Sequence, residues 1–331
     1  MGLPSPYEDW LVAITGAPLP REERATCHDC AMCAPDAPGG TFHPVTRCCT
    51  YVPRIPNFML GRILADTDPA AEEGRATVLR RLASGHGLSP LGLEVVGADQ
   101  AAYEKVIEEQ SFGRSDELRC PHHLSDGRCG IWKHRNGICA TWFCRHEDGA
   151  LGERFWEATQ RMLTEVERAV GYWVARRVRY PAGATDEQAA DEALFNCDWG
   201  PWIGREEDFF LACAREFEAL SWARVRQIGQ RHLQTLARTV ADRAAERTGP
   251  LPVRLRSNRA DWHGTLPGDR VLAYSAIDPL VVPADLLEAL EAFDGRRVPE
   301  VLAELAEGGI EVDADLLRAL RAFEVLVPAE G

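Results

Sequence analysis

Three cysteines repeat at a three-residue step near the N-terminus, in Cys27-x2-Cys30-x2-Cys33. In a turn of matching pitch, side chains at this step direct their sulfurs into one small volume. The same step opens the ferredoxin run C-x2-C-x2-C-x3-C-P, in which four thiolates bind iron. Here Ala37 occupies the place of the fourth cysteine, just before Pro38. The motif therefore needs further ligands from elsewhere in the chain.

Two more cysteine groups can supply those ligands. The pair Cys48-Cys49 follows after fourteen residues, and a later group has the spacing C-x8-C-x9-C-x4-C. Nine of the eleven cysteines thus lie in the first 144 residues. Clustered thiols of this kind are typical of metal ligands when the compartment is reducing. The predicted metal ligands are Cys27, Cys30, Cys33, Cys48, Cys49, Cys120, Cys129, Cys139 and Cys144.

The rest of the composition excludes several classes of protein. The 331 residues are 45% apolar, and no apolar run is long enough to span a membrane. The N-terminal segment lacks a basic leader, so we expect a cytoplasmic protein whose thiols stay reduced. A net charge of −14 argues against a broad nucleic-acid surface. No phosphate loop, dinucleotide fingerprint or hydrolase motif is present, and the sequence assigns no catalytic residue.

The residue types are compatible with two kinds of metal site, structural zinc and iron–sulfur. Structural zinc takes four ligands in a closed tetrahedral site, and nine cysteines suffice for two such sites. Iron–sulfur clusters also take four cysteines each, and the close C-x2-C-x2-C run favours one or two 4Fe-4S clusters. Imidazole can replace a thiolate on either metal. The histidines near the thiols are His28, His43, His122, His123, His134 and His146, of which His122, His123 and His146 are the best candidates.

The chain divides into three predicted parts. Residues 1–150 form a cysteine-cluster domain, in which Cys27 to Pro56 is a proline- and glycine-rich loop and helices cover 5–15, 69–84 and 99–110. Residues 151–250 form a helical region, with a stripe from Phe155 to Trp173 and a second pattern over 206–247. Residues 251–331 form a small acidic unit with helices over 285–293, 299–307 and 313–323. The predicted fold class is mainly α with a small α+β tail.

Two cysteines lie outside the cluster. Cys213 occupies the apolar stripe of the 206–247 pattern, which predicts a buried, core-filling side chain. Cys197 lies in the aromatic loop Asn196-Cys197-Asp198-Trp199, where we also expect it to pack rather than to bind a metal.

The first half of the chain resembles the CxxCxxCC (YkgJ-like) family of zinc- or iron-chelating cysteine-cluster proteins, whose relatives include flagellin lysine N-methylase. The resemblance covers roughly residues 25–147. It rests on Cys27-x2-Cys30-x2-Cys33, on Cys48-Cys49, and on the run from Asp126 through Cys129 to Cys139. The family's cysteine doublet is displaced here to Cys48-Cys49, and its Arg-Pro is Arg135-Asn136. The resemblance implies a bound metal and links the chain to modification of a protein substrate.

The C-terminal unit is similar to small winged-helix modules of the PqqD-like kind, which hold peptide segments for modifying enzymes. The similarity lies in residues 286–297, 298–305 and 310–320. Residues 276–331 contain 13 acids and 4 bases, which makes DNA a poor partner. We therefore expect a protein or peptide partner. The leading expectation is an iron–sulfur protein for redox or for modification of such a substrate, and the alternative is a non-catalytic, zinc-stabilised interaction module.

Overall fold

The structure is a computed structural model that describes residues 2–35, 37, 40–114, 118–181, 183 and 186–329. The predicted mainly α fold with a small α+β part is confirmed. The helices are α1 (Tyr7–Thr15), α2 (Asn57–Ala65), α3 (Glu72–Ser84), α4 (Gly97–Glu108), α5 (Gly137–Thr141), α6 (Gly149–Arg179), α7 (Glu187–Phe195), α8 (Glu206–Glu218), α9 (Trp222–Ile228), α10 (Gln230–Thr248), α11 (Ala284–Ala289), α12 (Val298–Glu307) and α13 (Ala314–Ala322). Short 3-10 turns cover Ala31–Cys33, Pro69–Ala71, Trp132–His134, Gly200–Trp202, Arg259–Asp261 and Leu290–Ala292.

The main apolar core forms around the 31-residue helix α6, whose buried positions recur every three or four residues. Helices α1, α2, α8 and α10 contribute most of the other buried side chains. Phe58 of α2 stacks on Phe217 of α8 with ring centroids 4.1 Å apart, and both rings are fully buried. This core draws residues from both 1–150 and 151–250, while the three-part division of the chain stays a prediction.

The pattern over 206–247 is not one continuous helix. It is divided into α8, α9 and α10, because two local features end the helical backbone. The Ser221 hydroxyl accepts a hydrogen bond from the Arg224 amide and caps α9. At the next junction Gln230 has a φ of 52°, which interrupts the helix between α9 and α10. The apolar residues recur with the same period in all three helices. The sequence pattern therefore did not predict where one helix ends and the next begins.

Three small antiparallel sheets complete the fold. The strands are β1 (Ile55–Pro56), β2 (Leu88–Ser89), β3 (Gly92–Leu93), β4 (Arg254–Ser257), β5 (Gly264–Leu266), β6 (Arg270–Leu272), β7 (Leu280–Val281), β8 (Asp294–Arg297) and β9 (Leu326–Pro328). They pair in the orders β1-β3-β2, β8-β4-β9 and β5-β6-β7. Helices α11, α12 and α13 pack with the β8-β4-β9 sheet around a second apolar core. The tail therefore combines helices and a sheet, and its likeness to PqqD-like modules stays a prediction.

The C-terminal unit is tied to the N-terminal half by a buried carboxylate. Asp278 is 1% exposed, and its Oδ1 lies 2.7 Å from Nη2 of Arg24. Its Oδ2 accepts a hydrogen bond of 3.0 Å from the His146 amide. Since His146 follows Cys144 by two residues, the tail directly supports one end of the cysteine-containing segment.

Candidate metal centre

Eight of the nine predicted ligands line one cavity of about 500 Å³. We call this space the thiol cavity; its cysteines are Cys27, Cys30, Cys48, Cys49, Cys120, Cys129, Cys139 and Cys144. Cys33 does not line the cavity among the residues described there. Its thiol is hydrogen-bonded to Cys30, and its amide donates to the Cys30 carbonyl over 2.8 Å. The structure thus brings all three cysteine groups to one place, although they are far apart in sequence.

Backbone hydrogen bonds join the early and late cysteine groups. The amide of Cys120 donates to the carbonyl of Cys49 over 2.8 Å. Asn136 makes a second link, because its Oδ1 caps α5 at the Cys139 amide while its Nδ2 donates to the Arg54 carbonyl over 2.8 Å. These contacts place Cys139, within α5, in the lining of the same cavity as the Cys48-Cys49 pair.

A close approach of two glycines fixes the Cys129 segment against α3. A Cβ added to Gly74 would lie 1.7 Å from the carbonyl oxygen of Gly130. Any side chain at Gly74 would therefore separate the helix from the loop. Gly130 also donates its amide to the His122 carbonyl, which closes the turn that carries Cys129.

The thiols nearest the N-terminus interact with one another. Hydrogen bonding to Cys48 lowers the pKa of Cys27 to about 6, with burial opposing the shift and the nearby Arg135 and Arg47 guanidinium groups assisting it. A hydrogen bond to the Cys48 thiol also lowers the pKa of Cys49. The hydrogen bonds to Cys27 and Cys49 raise the pKa of Cys48 itself. Cys27 is therefore mainly a thiolate at neutral pH, which is the form that binds metals.

The four thiols of the late cysteine group are protonated at neutral pH when no metal is bound. Burial raises the pKa of Cys120 to about 12 and that of Cys129 and Cys144 to about 11. It also raises the pKa of Cys139 well above its ordinary value. Metal binding must displace these protons, so the affinity of the cavity for a metal rises with pH.

The thiols surround the cavity without converging on one point. Across the described part of the chain, no three His, Cys, Asp or Glu side chains are close enough together to hold a single metal ion. A structural zinc site instead has four ligands about 2.0–2.3 Å from the ion. The donor set is soft thiolate, which suits iron–sulfur clusters and zinc, and the cavity is wider than one four-coordinate ion requires.

The best histidine candidates lie outside the cavity lining as described. The Nδ1 of His122 is 2.7 Å from the Thr77 hydroxyl, and burial lowers its pKa to about 3. His123 contacts Arg119, and His146 contacts Tyr274. Of the others, His134 is 2.8 Å from Asp66, and neither His28 nor His43 is among the lining residues. None of these six imidazoles is among the described residues that line the cavity.

Apolar and aromatic side chains, here called the aromatic wall, line part of the thiol cavity. They include Ile131, Trp132, Ile138, Trp142 and Phe143, all from the late cysteine segment. The structure adds side chains that the sequence analysis did not single out. Phe112 contacts the rings of Phe42, Tyr103 and Trp142 at centroid distances of 6.2, 6.5 and 5.4 Å, and Tyr103 also contacts Tyr51. No spacing pattern links these residues, because each comes from a different segment.

The two cysteines outside the cluster differ from each other. Cys213 is completely buried in the core on α8, which confirms its prediction as core filling. The prediction that Cys197 packs is wrong, because this residue is exposed in the loop after α7. Its φ of 58° turns the chain there and directs the thiol to solvent.

A larger surface groove of about 780 Å³ lies between α6, α7 and α9, and none of the cavity cysteines lines it. Two of its arginines are already paired within the protein. Arg176 contacts Glu187 at 3.0 Å and Asp191 at 3.4 Å, and Arg168 contacts Glu165 at 2.7 Å. The chemistry of the thiol cavity makes it the better candidate site.

Comparisons of the chain with protein-family models, with curated proteins and with solved structures find no match. Within the described residues, no helix has both the length and the apolar character needed to cross a bilayer.

Proposed function

We propose that this protein binds a metal cluster, of the iron–sulfur type, in the thiol cavity. One observation carries the proposal: eight cysteine side chains from three separate sequence groups line a single cavity of about 500 Å³. Buried structural thiols scattered through a core would not face one common space. Thiolate sulfur is the ligand by which proteins hold 2Fe-2S and 4Fe-4S clusters.

The size of the cavity favours a cluster over single zinc ions. A zinc ion with four thiolates forms a compact tetrahedron and needs no surrounding space. Eight thiols can provide four ligands for one 4Fe-4S cluster with further thiols beside it, or the ligands of two clusters. When bound, such a cluster supplies one-electron redox chemistry, and the aromatic wall limits the access of water to it.

The proposed role is redox chemistry or the modification of a protein or peptide substrate in the cytoplasm. The resemblance to the CxxCxxCC family supports the second half of this statement. The acidic C-terminal unit supports a protein or peptide partner, because its surface repels phosphate backbones. Asp278 links that unit to His146 and so to the segment of Cys144.

The alternative is a zinc-stabilised interaction protein without catalysis. The observation that favours it is the lack of regular structure around the thiols. Between Cys27 and Pro56, the described residues form only the turn Ala31–Cys33 and the strand β1. Such a segment gains order from any metal that joins its thiols, and structural zinc contributes folding free energy in this way.

Anaerobic purification followed by metal analysis tests the proposal. We expect brown protein that contains iron and acid-labile sulfide. The variant Cys139→Ser should lose most of the iron, whereas Cys197→Ser is a matched control at an exposed cysteine and should retain it. A colourless wild-type protein with stoichiometric zinc would overturn the iron–sulfur assignment in favour of the alternative.

A further inference from the structure

Arg135 is a buried cation on the wall of the thiol cavity. Its side chain is 5% exposed, and its Cζ lies 3.4 Å from the ring centroid of Trp132. Nη2 donates to the carbonyl of Gly2 over 3.1 Å, while Nε is buried without a hydrogen-bond partner. A guanidinium that is buried with one donor unused ordinarily requires an anion nearby.

No described carboxylate supplies that anion. Two other arginines with little exposure do have an acidic partner: Arg179 pairs with Asp198, and Arg247 with Asp148 at 2.6 Å. Arg135 has none among the described residues. The described lining of the thiol cavity also contains no Asp or Glu, although it contains eight cysteines.

A second guanidinium repeats this arrangement. Arg47 lines the same cavity, and its Nη1 donates to the Cys27 carbonyl. Its Nε is buried and unpartnered like that of Arg135. Among the described lining residues, these two arginines are the cationic side chains. Two positive charges thus face a cavity in which only cysteine can become negative.

The thiols that act on Arg135 come from three different segments. Burial lowers the pKa of Arg135, and the thiolate forms of Cys129, Cys139 and Cys27 oppose this shift. Each of these residues is a proposed ligand. A cluster bound through four thiolates carries net negative charge, so its nearest compensating groups would be Arg135 and Arg47.

We propose that Arg135, assisted by Arg47, is the counter-charge of the bound cluster and sets its reduction potential. This inference rests on the proposed function. Reduction adds one electron to a group that is already negative, and a nearby buried cation stabilises the reduced form more than the oxidised form. The cation therefore raises the potential. Arg135 acts here as a positioning and charge-compensating residue and takes no part in bond making.

The test is a reductive titration of iron-loaded protein with dithionite as the electron donor. We expect Arg135→Gln to lower the equilibrium constant for one-electron reduction by about tenfold, equivalent to a potential about 59 mV more negative. Arg135→Lys retains the charge and should retain the wild-type potential. Arg205→Gln is the matched control, because Arg205 also lies over a tryptophan, Trp202, but is exposed and remote from the cavity lining.

The outcomes separate this inference from the proposed function. Iron-loaded Arg135→Gln and Arg47→Gln with wild-type potentials would overturn the inference and leave the function intact. Arg135→Gln could instead fail to bind iron. Iron binding by Arg135→Lys would then support the counter-charge, whereas loss of iron in both variants would assign the residue to packing and overturn the inference. If the wild type contains only zinc, the function proposal and this inference both fail, because zinc has no redox couple whose potential Arg135 could set. A wild type without metal overturns both.

Discussion

The cysteine loops surround a cavity, whereas the helical region packs around an apolar core. The cysteine loops are the described residues of 25–56 and 118–148. The helical region is the described residues of 149–248. Cysteine shows the contrast most directly. In the helical region Cys213 is a small apolar side chain within the core. In the cysteine loops the thiols face a common space, and their backbones have little regular structure. The same residue type therefore fills a core in one region and lines a site in the other.

The difference teaches how each region gains its stability. Helices α6, α8 and α10 bury continuous apolar stripes, which suffice to order them. The cysteine loops depend on anchors from the helical region and the N-terminus. Glu167 of α6, for example, accepts hydrogen bonds from the Gly137 amide at 2.6 Å and from the Tyr7 hydroxyl at 2.8 Å. We infer that the rest of their order comes from what the cavity binds.

Metal removal should therefore produce the largest difference between the two regions, in their resistance to proteolysis. Structural metal sites contribute about 10 kcal/mol or more of apparent binding free energy. After chelation, we expect trypsin to cleave at Arg47, Arg119 and Arg128 at least ~10-fold faster, while sites in α6 stay protected, as mass spectrometry of timed digests would show. The Cys139→Ser protein serves as the control, since the chelator should change its digestion little. Equal acceleration in both regions would contradict the contrast.

The buried carboxylate of Glu167 provides a second test, through pH. Burial raises its pKa to about 7, although the hydrogen bonds from Tyr7 and Gly137 oppose the shift. Because the folded state binds this proton more tightly than the unfolded state, the stabilising contribution is complete below about pH 4.5 and is lost as the pH rises through about 7. The change amounts to roughly 3 kcal/mol.

Glu167→Gln removes this titration. The difference in the free energy of unfolding between the variant and the wild type should therefore change with pH. It should shift by roughly 3 kcal/mol in favour of the variant as the pH rises from about 4.5 to about 8. Urea unfolding at several pH values measures the difference. Glu165→Gln is the control on the same helix, because the Glu165 carboxylate is already paired with the exposed Arg168 at 2.7 Å. A pH-independent difference between the wild type and Glu167→Gln would show that the carboxylate is not shifted.

The smallest expected effect distinguishes the core cysteine from the cavity cysteines. Cys213→Ser places a hydroxyl in an apolar core and should lower the free energy of unfolding by about 1–3 kcal/mol. It should leave the metal content unchanged, since Cys213 does not line the thiol cavity as described. Chemical unfolding and metal analysis of the same preparation provide both values. Loss of metal in this variant would break the distinction between the two regions.

Local features of the chain predicted much of the secondary structure. The helix predicted over 69–84 ends at Gly85, which has a φ of 67° at the C-cap. The last helix begins after Asp313, whose carboxylate caps it at the Leu316 amide. The predicted helix over 285–293 is instead α11 followed by the 3-10 turn Leu290–Ala292. Caps and apolar periods are local, so they determine where a helix lies better than where it is interrupted.

The sequence by itself determined which residues are the candidate metal ligands, because nine thiols cluster in loops rich in proline and glycine. It also determined the mainly α fold, through the apolar stripe of α6 and the turn residues that bound it. Only the tertiary structure decided that eight thiols share one cavity, that Cys33 stands beside it, and that Arg135 and Arg47 face it. These facts depend on contacts between segments far apart in the chain. Such contacts arise from packing and buried hydrogen bonds, which leave no periodic signal in the sequence.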